Sequence, residues 1–328
     1  MRVFTLHIGL HKTASSFLQQ YTFPSCKETH YIDRNEFRKR NSDGPFKSWL
    51  LNRDFEMGFS RSPEFWNVYG SALIKNAIPK DVLDSNINVL GSSEGITNAR
   101  VFVRNDDPFF TPFTHMNDPS MLTTHLNNFK AQISEFGFDS LKVILAIRKQ
   151  DTWLASNYAE FSHLIRFASQ SDFEKQVDHL IDPKMRYYWE GVWLNFQYIR
   201  DCIVNSVGKD NLAILPQEFL AKSPELYLEK LSRFIDDKGI LQSPKTIYEK
   251  NKNRTDINKW KLKPRNYYIR PLSLFNKYTN RIVKFKTPRT NYIEITNQLS
   301  NKILAPFISS NKILDKYENL NLKEYGYY

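Results

Sequence analysis

The stretch RVFTLHIGLHKTASSFLQ, residues 2–19, joins a strand-like run to a helix-like run through a short polar turn. Arg2–Gly9 is rich in Val, Leu and Ile, and it predicts a short buried strand. Ser15–Phe23 follows directly and predicts a helix, so Lys12 lies in the turn between the two. A strand-to-helix turn leaves backbone N–H groups free at the positive end of the helix dipole, which makes it a site for phosphate.

The rest of the chain alternates between apolar runs and helix-like stretches. Three further runs predict buried strands, namely Asn86–Ser93, Leu141–Arg148 and Asn211–Leu215. The stretches with helical spacing are Met121–Phe136, Trp153–Phe167, Arg186–Val207 and Pro224–Ile235. This alternation predicts the α/β class, with a P-loop-like three-layer fold whose central, mostly parallel sheet is flanked by helices. Ligands bind such folds beyond the carboxyl ends of the strands, where the turn with Lys12 leaves the first strand.

Two explanations of this turn compete. Ser15 or Ser16 could simply cap the following helix, which explains one hydroxyl but not the lysine. In the other explanation the turn binds a phosphate, with Thr13 and the two serines as hydroxyl donors and Lys12 as a point charge. An ATP-type loop reads G-x-x-x-x-G-K-[ST], and this chain lacks it because no second glycine stands between Gly9 and the lysine.

The sequence GLHKTASSFLQ, residues 9–19, resembles the 5′-phosphosulfate loop of sulfotransferases that use 3′-phosphoadenosine 5′-phosphosulfate (PAPS). The likeness is greatest to the bacterial, carbohydrate-type form G-L-H-K-T-G-T-T-F/Y-L-Q. Ser15 and Ser16 replace the paired threonines and keep their hydroxyl groups, and Ala14 replaces a glycine. Because alanine carries a Cβ atom, a left-handed backbone is expected to be disfavoured at Ala14.

A second stretch, LKVILAIRKQDTWLASNYAEF (residues 141–161), carries the other signature of this family. Sulfotransferases place an Arg at the end of a later strand and a Ser eight residues further on, at a helix start. Arg148 and Ser156 have this spacing, and the planar fork of an arginine suits a phosphate. Taken alone, Arg148 could be an ordinary ion-pair residue and Ser156 an ordinary helix residue. Their order and separation make the resemblance specific.

The resemblance covers the first strand, turn and helix, residues 141–235, and a tail at 307–317 that is similar to the endings of bacterial members. It implies a single sulfotransferase domain over residues 1–328. Within that domain, an inserted region near 34–84 is expected to shape the acceptor pocket, and a basic extension is expected near 245–328.

The resemblance also implies a chemistry, which is in-line transfer of the sulfuryl group from PAPS to a carbohydrate hydroxyl, with no metal required. Lys12 would stabilise the leaving group, and Arg148 and Ser156 would hold the 3′-phosphate. The loop residues implied in donor binding are His11, Lys12, Thr13, Ala14, Ser15, Ser16 and Phe17.

An alcohol acceptor must lose a proton, so a general base is expected. Glu94 is the first candidate because it follows the predicted strand in NINVLGSSEG, residues 86–95, at the carboxyl edge of the sheet. His11 lies in the loop itself and is a second catalytic candidate that could instead contact cofactor or acceptor. His115 and His125 are the runners-up.

The charge is unevenly distributed. The chain has a net charge of +11, yet residues 245–290 alone carry 14 Lys and Arg against two acidic residues, so the remainder is close to neutral. Such a block favours an anionic acceptor, an acidic polysaccharide or a glycolipid. The alternative is a solvated basic face with no partner. The residues expected to bind the acceptor are Lys259, Lys261, Lys263, Arg265 and Arg270, while the KNKNRT segment at 250–255 would cover the nucleotide.

Composition limits the remaining possibilities. The chain has 41% hydrophobic residues and no apolar run of about 18 residues, so no transmembrane segment is expected. It has only two cysteines, and a cytoplasmic protein is therefore expected. Peripheral contact with a membrane stays open. No nucleic-acid-reading motif is found, so no nucleic-acid partner is expected. Two other functions stay open, a P-loop-type nucleotide kinase or NTPase and a non-catalytic polyanion-binding protein.

Overall fold

The computed structural model describes most of the chain, in the ranges 1–33, 56–59, 61–97, 101–102, 119–184, 191–243, 258–269, 283–287 and 292–328. Several predicted features lie outside the described residues, namely residues 34–55 of the expected insertion, His115, the segment 250–255 and Arg270.

The strands of the described residues are β1 (Val3–His7), β2 (Thr29–Tyr31), β3 (Asn88–Ser92), β4 (Ser140–Ile147), β5 (Leu212–Pro216), β6 (Lys259–Lys261), β7 (Arg265–Ile269), β8 (Val283–Thr287) and β9 (Tyr292–Glu294). The α-helices are α1 (Ser15–Phe17), α2 (Glu56–Phe59), α3 (Phe65–Ala77), α4 (Lys80–Leu83), α5 (Ser120–Ser134), α6 (Gln150–Phe161), α7 (Gln170–Ile181), α8 (Phe196–Val207), α9 (Gln217–Lys222), α10 (Pro224–Ile235), α11 (Asn297–Leu304) and α12 (Ile308–Glu318). One π-helical turn (Leu18–Thr22) and short 3-10 turns complete the set, at Phe23–Ser25, Ser162–Leu164, Val192–Leu194, Lys209–Asn211, Lys238–Gln242 and Ala305–Phe307.

The central sheet has five strands in the order β2-β3-β1-β4-β5, and every neighbouring pair is parallel. The first strand is therefore in the middle, with β3 on one side and β4 on the other. The carboxyl ends of these three strands meet at one edge of the sheet, where β1 leads into the turn with Lys12.

Helices cover both faces of this sheet, because successive side chains of each buried strand point to opposite sides. On β4, Val143 and Leu145 pack in a core formed with α3, α5, α6 and α8. Ile144, between them, packs in a second core formed with α1, α9 and α10. The predicted α/β class, a P-loop-like three-layer fold with a central parallel sheet, is confirmed.

The ends of several helices differ from those predicted. The helix after β1 is α-helical only over Ser15–Phe17, continues as a π-helical turn and ends in the 3-10 turn Phe23–Ser25, where Pro24 has no N–H to continue the helical hydrogen bonds. Residues 186–190 of the predicted helix 186–207 lie outside the described residues, and its later part is α8, where the Asn195 side chain accepts a hydrogen bond from the Tyr198 N–H and caps the helix. The helix predicted from Trp153 to Phe167 is α6, which begins and ends earlier.

Two small antiparallel sheets lie in the C-terminal part. β6 pairs with β9, and β7 pairs with β8. Trp260 of β6 and Ile293 of β9 are buried in the same core as α6. The described start of the basic extension is thereby held against α6. None of the helices within the described ranges is both long enough and apolar enough to cross a membrane.

Candidate active site

The turn after β1 has an unusual backbone. Lys12 (φ 67°) and Ala14 (φ 68°, ψ 16°) are left-handed, and Thr13 between them is not. Within the described part of the chain, residues 11–16 donate no backbone–backbone hydrogen bond. Left-handed residues in a turn direct neighbouring N–H groups toward one point, which makes a concave site for an anion. Ala14 adopts this conformation although its Cβ atom disfavours it, and the strain costs about 1–2 kcal/mol.

Close packing beneath the turn explains the glycine that precedes it. A Cβ atom on Gly9 would lie 2.9 Å from His7 Nε2 and 3.0 Å from Thr13 Oγ1. The Thr13 hydroxyl donates to the carbonyl of Leu10 at 2.6 Å, which tightens the turn. Thr13 and Ser15 are buried, and their hydroxyl oxygens are 3.3 Å apart. The hydroxyl side chains therefore form the inner wall of the turn, and neither Ser15 nor Ser16 caps the helix.

Arg148, at the carboxyl end of β4, reaches the same turn. Its guanidinium is buried, its Nη1 donates to the carbonyl of Lys12 at 3.2 Å, and its Nε donates to Thr152 Oγ1 at 3.2 Å. Its Nη2 has no hydrogen-bond partner among the described residues. Leaving a charged donor buried and unsatisfied is costly, and an anionic oxygen would satisfy it. The arginine therefore fits a phosphate beside the turn.

Helix α6 presents a polar stripe to these residues. Thr152, Ser156 and Glu160 are four residues apart and so lie on one face of the helix. Thr152 contacts Arg148 at one end of the stripe, and Glu160 contacts Lys12 at the other. Ser156 lies between them, in the middle of α6 rather than at the helix start that was predicted. Its position between the two cations suits a role in binding an anion.

A second stripe of α6 faces His11. Trp153 Nε1 donates to the His11 carbonyl at 2.5 Å, and the Phe161 ring meets the His11 ring edge-on at 6.3 Å between centroids. Asn157 lies between these two positions on the helix and is fully buried. Neither its amide nitrogen nor its amide oxygen has a hydrogen-bond partner within the described ranges. The sequence reasoning missed this residue, whose one signal is an amide on an otherwise aromatic stripe.

Glu94 lies beside His11, as the sequence placed it, at the carboxyl edge of the sheet. Its Oε2 is 3.6 Å from His11 Nδ1, and about a fifth of its side chain is exposed (22%). Burial alone would raise the pKa of Glu94, but the neighbouring His11, His7 and Lys12 outweigh it and lower that pKa. The carboxylate is therefore ionised at neutral pH. The structure thus brings together Glu94, His11 and Lys12.

His7 lies beneath the turn, at the end of β1. Its Nδ1 is 2.8 Å from Ser92 Oγ, which also accepts a hydrogen bond from Gln19 Nε2 at 3.0 Å. Burial lowers the pKa of His7 to about 4, although the nearby Glu94 opposes the shift. The ring is therefore neutral at pH 7 and acts as a packing and hydrogen-bonding support of the site.

The Lys12 side chain is held by Glu160. Lys12 Nζ is 2.9 Å from Glu160 Oε2, and Lys263 Nζ contacts the other oxygen, Oε1. Burial would raise the pKa of Glu160, but Lys263 and Lys12 together lower it to about 2. The Lys263 main-chain N–H also donates to Ser162 Oγ at 2.7 Å. The sequence reasoning missed Glu160, although it stands four residues after Ser156 in the motif.

The C-terminal tail supports the start of α6. The buried side chains of Asn311 and Gln150 bond to each other, with Gln150 Nε2 donating to Asn311 Oδ1 at 3.0 Å. Asn311 Nδ2 also donates to the carbonyl of Tyr327 at 3.1 Å. Asn311, in the tail at 307–317, therefore fixes the start of α6, the helix that carries Ser156.

Two other features bear on the histidines and on metal binding. His125 is fully buried and accepts a hydrogen bond from Trp66 Nε1 at 3.1 Å, among the aromatic rings of the core. Among the residues that the structure describes, no three His, Cys, Asp or Glu side chains lie close enough together to hold a metal ion.

No protein-family model matches the chain, and no curated protein sequence matches it. Among solved structures, a sulfotransferase from Alicyclobacillus acidocaldarius is 11% identical, with a TM-score of 0.49, over 99% of this chain and 98% of that one. The sulfotransferase domain of the Synechococcus PCC 7002 olefin synthase is 14% identical (TM-score 0.33; 73% and 75% covered), as is the sulfotransferase domain from the curacin biosynthetic pathway (TM-score 0.35; 74% and 76% covered).

Proposed function

We propose that this chain is a PAPS-dependent sulfotransferase that transfers the sulfuryl group to a hydroxyl of a carbohydrate acceptor. One observation carries the proposal: among the described residues, the backbone N–H groups of residues 11–16 donate no backbone–backbone hydrogen bond, and Arg148 is bonded to the same turn through the Lys12 carbonyl. The sequence around both cations has the order and spacing of the sulfotransferase signatures. The activity is assigned to a single domain spanning residues 1–328.

The donor residues follow from this arrangement. The backbone N–H groups of residues 11–16 would hold the 5′-phosphosulfate together with the hydroxyls of Ser15 and Ser16, since none of these N–H groups donates a backbone–backbone hydrogen bond among the described residues. Thr13, whose hydroxyl donates to the Leu10 carbonyl, and Phe17, whose N–H donates to the Ala14 carbonyl, would support this loop. The free Nη2 of Arg148 and the hydroxyl of Ser156 would hold the 3′-phosphate. A nucleotide kinase is less well supported, because an ATP-type loop needs a glycine immediately before the lysine, and this chain has His11 there.

The reaction is an in-line displacement at sulfur. The acceptor oxygen forms a bond to the sulfur atom while the bond from sulfur to the bridging oxygen of the 5′-phosphate breaks. Lys12 neutralises the negative charge that grows on that leaving oxygen, which departs with adenosine 3′,5′-bisphosphate. The acceptor hydroxyl proton passes to the ionised carboxylate of Glu94, and His11, beside it, orients the carboxylate or the acceptor.

The acceptor is proposed to be anionic, an acidic polysaccharide or a glycolipid. The support is the charge distribution, since the excess of Lys and Arg falls within residues 245–290. Within this block Lys261 is exposed, whereas Lys259 Nζ lies 3.9 Å from Glu294 Oε2 and Lys263 Nζ contacts Glu160. A bacterial, cytoplasmic enzyme with peripheral membrane contact would meet such acceptors, and no nucleic-acid partner is proposed.

Calorimetric titration separates this function from the alternatives. Adenosine 3′,5′-bisphosphate should bind well, and adenosine 5′-phosphate should bind at least tenfold more weakly because it lacks the 3′-phosphate. ATP with Mg²⁺ tests the kinase or NTPase, and a heparin-like polymer tests the polyanion-binding protein. Binding of ATP or of the polymer alone, without binding of the bisphosphate, would overturn the proposal.

A further inference from the structure

Three side chains form one ionic cluster at the turn. Lys12 Nζ contacts Oε2 of Glu160 at 2.9 Å, and Lys263 Nζ contacts Oε1 of the same carboxylate. We propose that Glu160 is the resting partner of Lys12, and that Lys263 keeps this carboxylate paired when Lys12 turns to the sulfuryl donor. The second half of this proposal rests on the proposed function, whereas the resting contact does not.

The cluster has an excess of one positive charge, because two ammonium groups share one carboxylate. About a third of the Glu160 side chain is exposed (34%), so it is partly withdrawn from water. If Lys12 were its one partner, moving that lysine to the donor would leave a half-buried carboxylate without a cation, which is unfavourable. With Lys263 already in place, Lys12 can leave and Glu160 remains paired.

A purely structural role for the cluster is less well supported. Glu160 could simply fasten the start of the basic extension to α6, but that segment has other anchors. The Lys263 main-chain N–H bonds to Ser162 Oγ, and the adjacent Leu262 is buried in the core. The segment is therefore held without the Lys263 side chain. The ammonium group of Lys263 is therefore not needed to hold the segment, and its contact with Glu160 neutralises that carboxylate.

The same geometry makes Glu160 a competitor of the donor. Lys12 can contact either the carboxylate or the anionic donor, so each weakens the other. Lys263 reduces this competition because it offers Glu160 a second cation. The donor affinity should therefore depend on Lys263 only when Glu160 is present. If the two charges affected the donor independently, removal of Lys263 would weaken donor binding by the same factor with or without Glu160.

Carbodiimide cross-linking tests the contacts directly, since this reagent joins a carboxylate and an amine that touch. Without ligand, mass spectrometry should find both the Glu160–Lys12 and the Glu160–Lys263 amide. Saturating PAPS should reduce the first at least threefold and maintain or raise the second. The exposed pair Lys222–Glu324, 2.8 Å apart, is the internal control and should not respond. Absence of both Glu160 cross-links in the ligand-free protein would overturn the resting contact.

The exchange, in which Lys12 leaves Glu160 for the donor while Lys263 stays paired with that carboxylate, is tested by measuring donor affinity with calorimetry. Lys263→Met should weaken PAPS binding about tenfold, and Glu160→Gln should strengthen it several-fold. In the double variant Lys263→Met with Glu160→Gln, the lysine substitution should have no further effect. If Lys263→Met weakens PAPS binding equally in both backgrounds, the charges act additively and the exchange is wrong.

These outcomes separate the proposal from the function on which it rests. If PAPS fails to bind the wild-type protein, the proposed function fails, while the ligand-free cross-links still report on the resting contact. If PAPS binds but the ratio of the two Glu160 cross-links stays constant, the function stands and the exchange is overturned.

Discussion

The Arg148 guanidinium and the Lys12 carbonyl oxygen lie 3.2 Å apart, although 136 residues separate them in the chain. This hydrogen bond joins the two halves of the signature, and it supports the backbone of Lys12 where that backbone is left-handed. Arg148 therefore has two tasks, because Nη1 holds the turn while the buried Nη2 remains free. Loss of this side chain should affect both the shape of the turn and the binding of a phosphate.

Arg148→Ala should weaken binding of adenosine 3′,5′-bisphosphate by about 10–100-fold, because a charge-assisted hydrogen bond contributes about 1.5–3 kcal/mol. The affinity for adenosine 5′-phosphate should fall only a few-fold, because the turn that binds its 5′-phosphate is less well supported. Thr152→Val is the milder control, since it removes only the hydroxyl that accepts from Nε. Equal losses for both nucleotides would place Arg148 away from the 3′-phosphate.

Lys12→Met should lower the rate of adenosine 3′,5′-bisphosphate release, with PAPS and a carbohydrate acceptor, by about 10²–10³-fold. The physical reason is the loss of the charge that neutralises the leaving oxygen. The melting temperature should stay close to that of the wild type, because the side chain is about one-third exposed (34%) and its ion pair contributes little to stability. Turnover within about threefold of wild type would remove Lys12 from the mechanism.

Ala14→Gly should raise the free energy of unfolding by about 0.5–1 kcal/mol. Glycine relieves about 1–2 kcal/mol of left-handed strain, and it loses about 0.4–1 kcal/mol through the greater freedom of the unfolded chain. Urea unfolding measures the change. Gly208→Ala is the reverse control, because Gly208 has φ 84° and no atom within 4 Å of an added Cβ, so its loss of stability would come from backbone strain alone. A destabilised Ala14→Gly protein would contradict the strained turn.

His7→Asn should reduce the acid sensitivity of the fold. The pKa of His7 is about 4 in the folded protein against 6.5 in the unfolded chain, so between these values only the unfolded chain takes up the proton. Stability is therefore full above pH 6.5 and falls as the pH drops toward about 4, by up to about 3 kcal/mol.

The asparagine amide keeps a polar group near Ser92 but does not titrate. Urea unfolding at pH 4.5 and at pH 7 should therefore show a smaller difference for the variant than for the wild type. An unchanged difference would assign the acid sensitivity to other groups.

The sequence reasoning succeeded where local pattern and global fold agree. The strands that form the centre of the sheet are continuous apolar runs, and α10 was predicted at its observed ends, Pro224–Ile235. β2 escaped prediction because it has three residues and its position depends on Asp237, whose carboxylate accepts from the N–H groups of residues 27–29. A side chain that is about 210 residues away leaves no local signal.

In the site, motif spacing placed Lys12 and Arg148 at the same edge of the sheet, where the structure joins them. It gave no indication of Glu160 or Asn157, because their importance lies in the partners that they have or lack in space. The left-handed Ala14 was also missed. Propensity disfavours it, and the bonds of Thr13 and Arg148 to the neighbouring backbone override that propensity.

Lys261 provides the sharpest test of an anionic acceptor. It is exposed on β6, between Lys259 and Lys263, whose ammonium groups are already close to the carboxylates of Glu294 and Glu160. Of these three lysines, Lys261 is therefore the one whose charge is least neutralised by a neighbouring carboxylate. Lys261→Gln should raise the acceptor KM several-fold and leave the donor KM unchanged, whereas Lys209→Gln, an exposed lysine next to β5, should change neither.

Ionic strength supplies the physical check on this effect. The screening length shortens from about 30 Å at 0.01 M salt to about 8 Å at 0.15 M, so an attraction gathered over several sugar units should weaken steeply in that range. The acceptor KM of the wild-type protein should rise with salt, and Lys261→Gln should flatten the slope. Where the acceptor KM is independent of both salt and this substitution, the basic segment is a solvated face, and the acceptor is selected by uncharged contacts in the pocket.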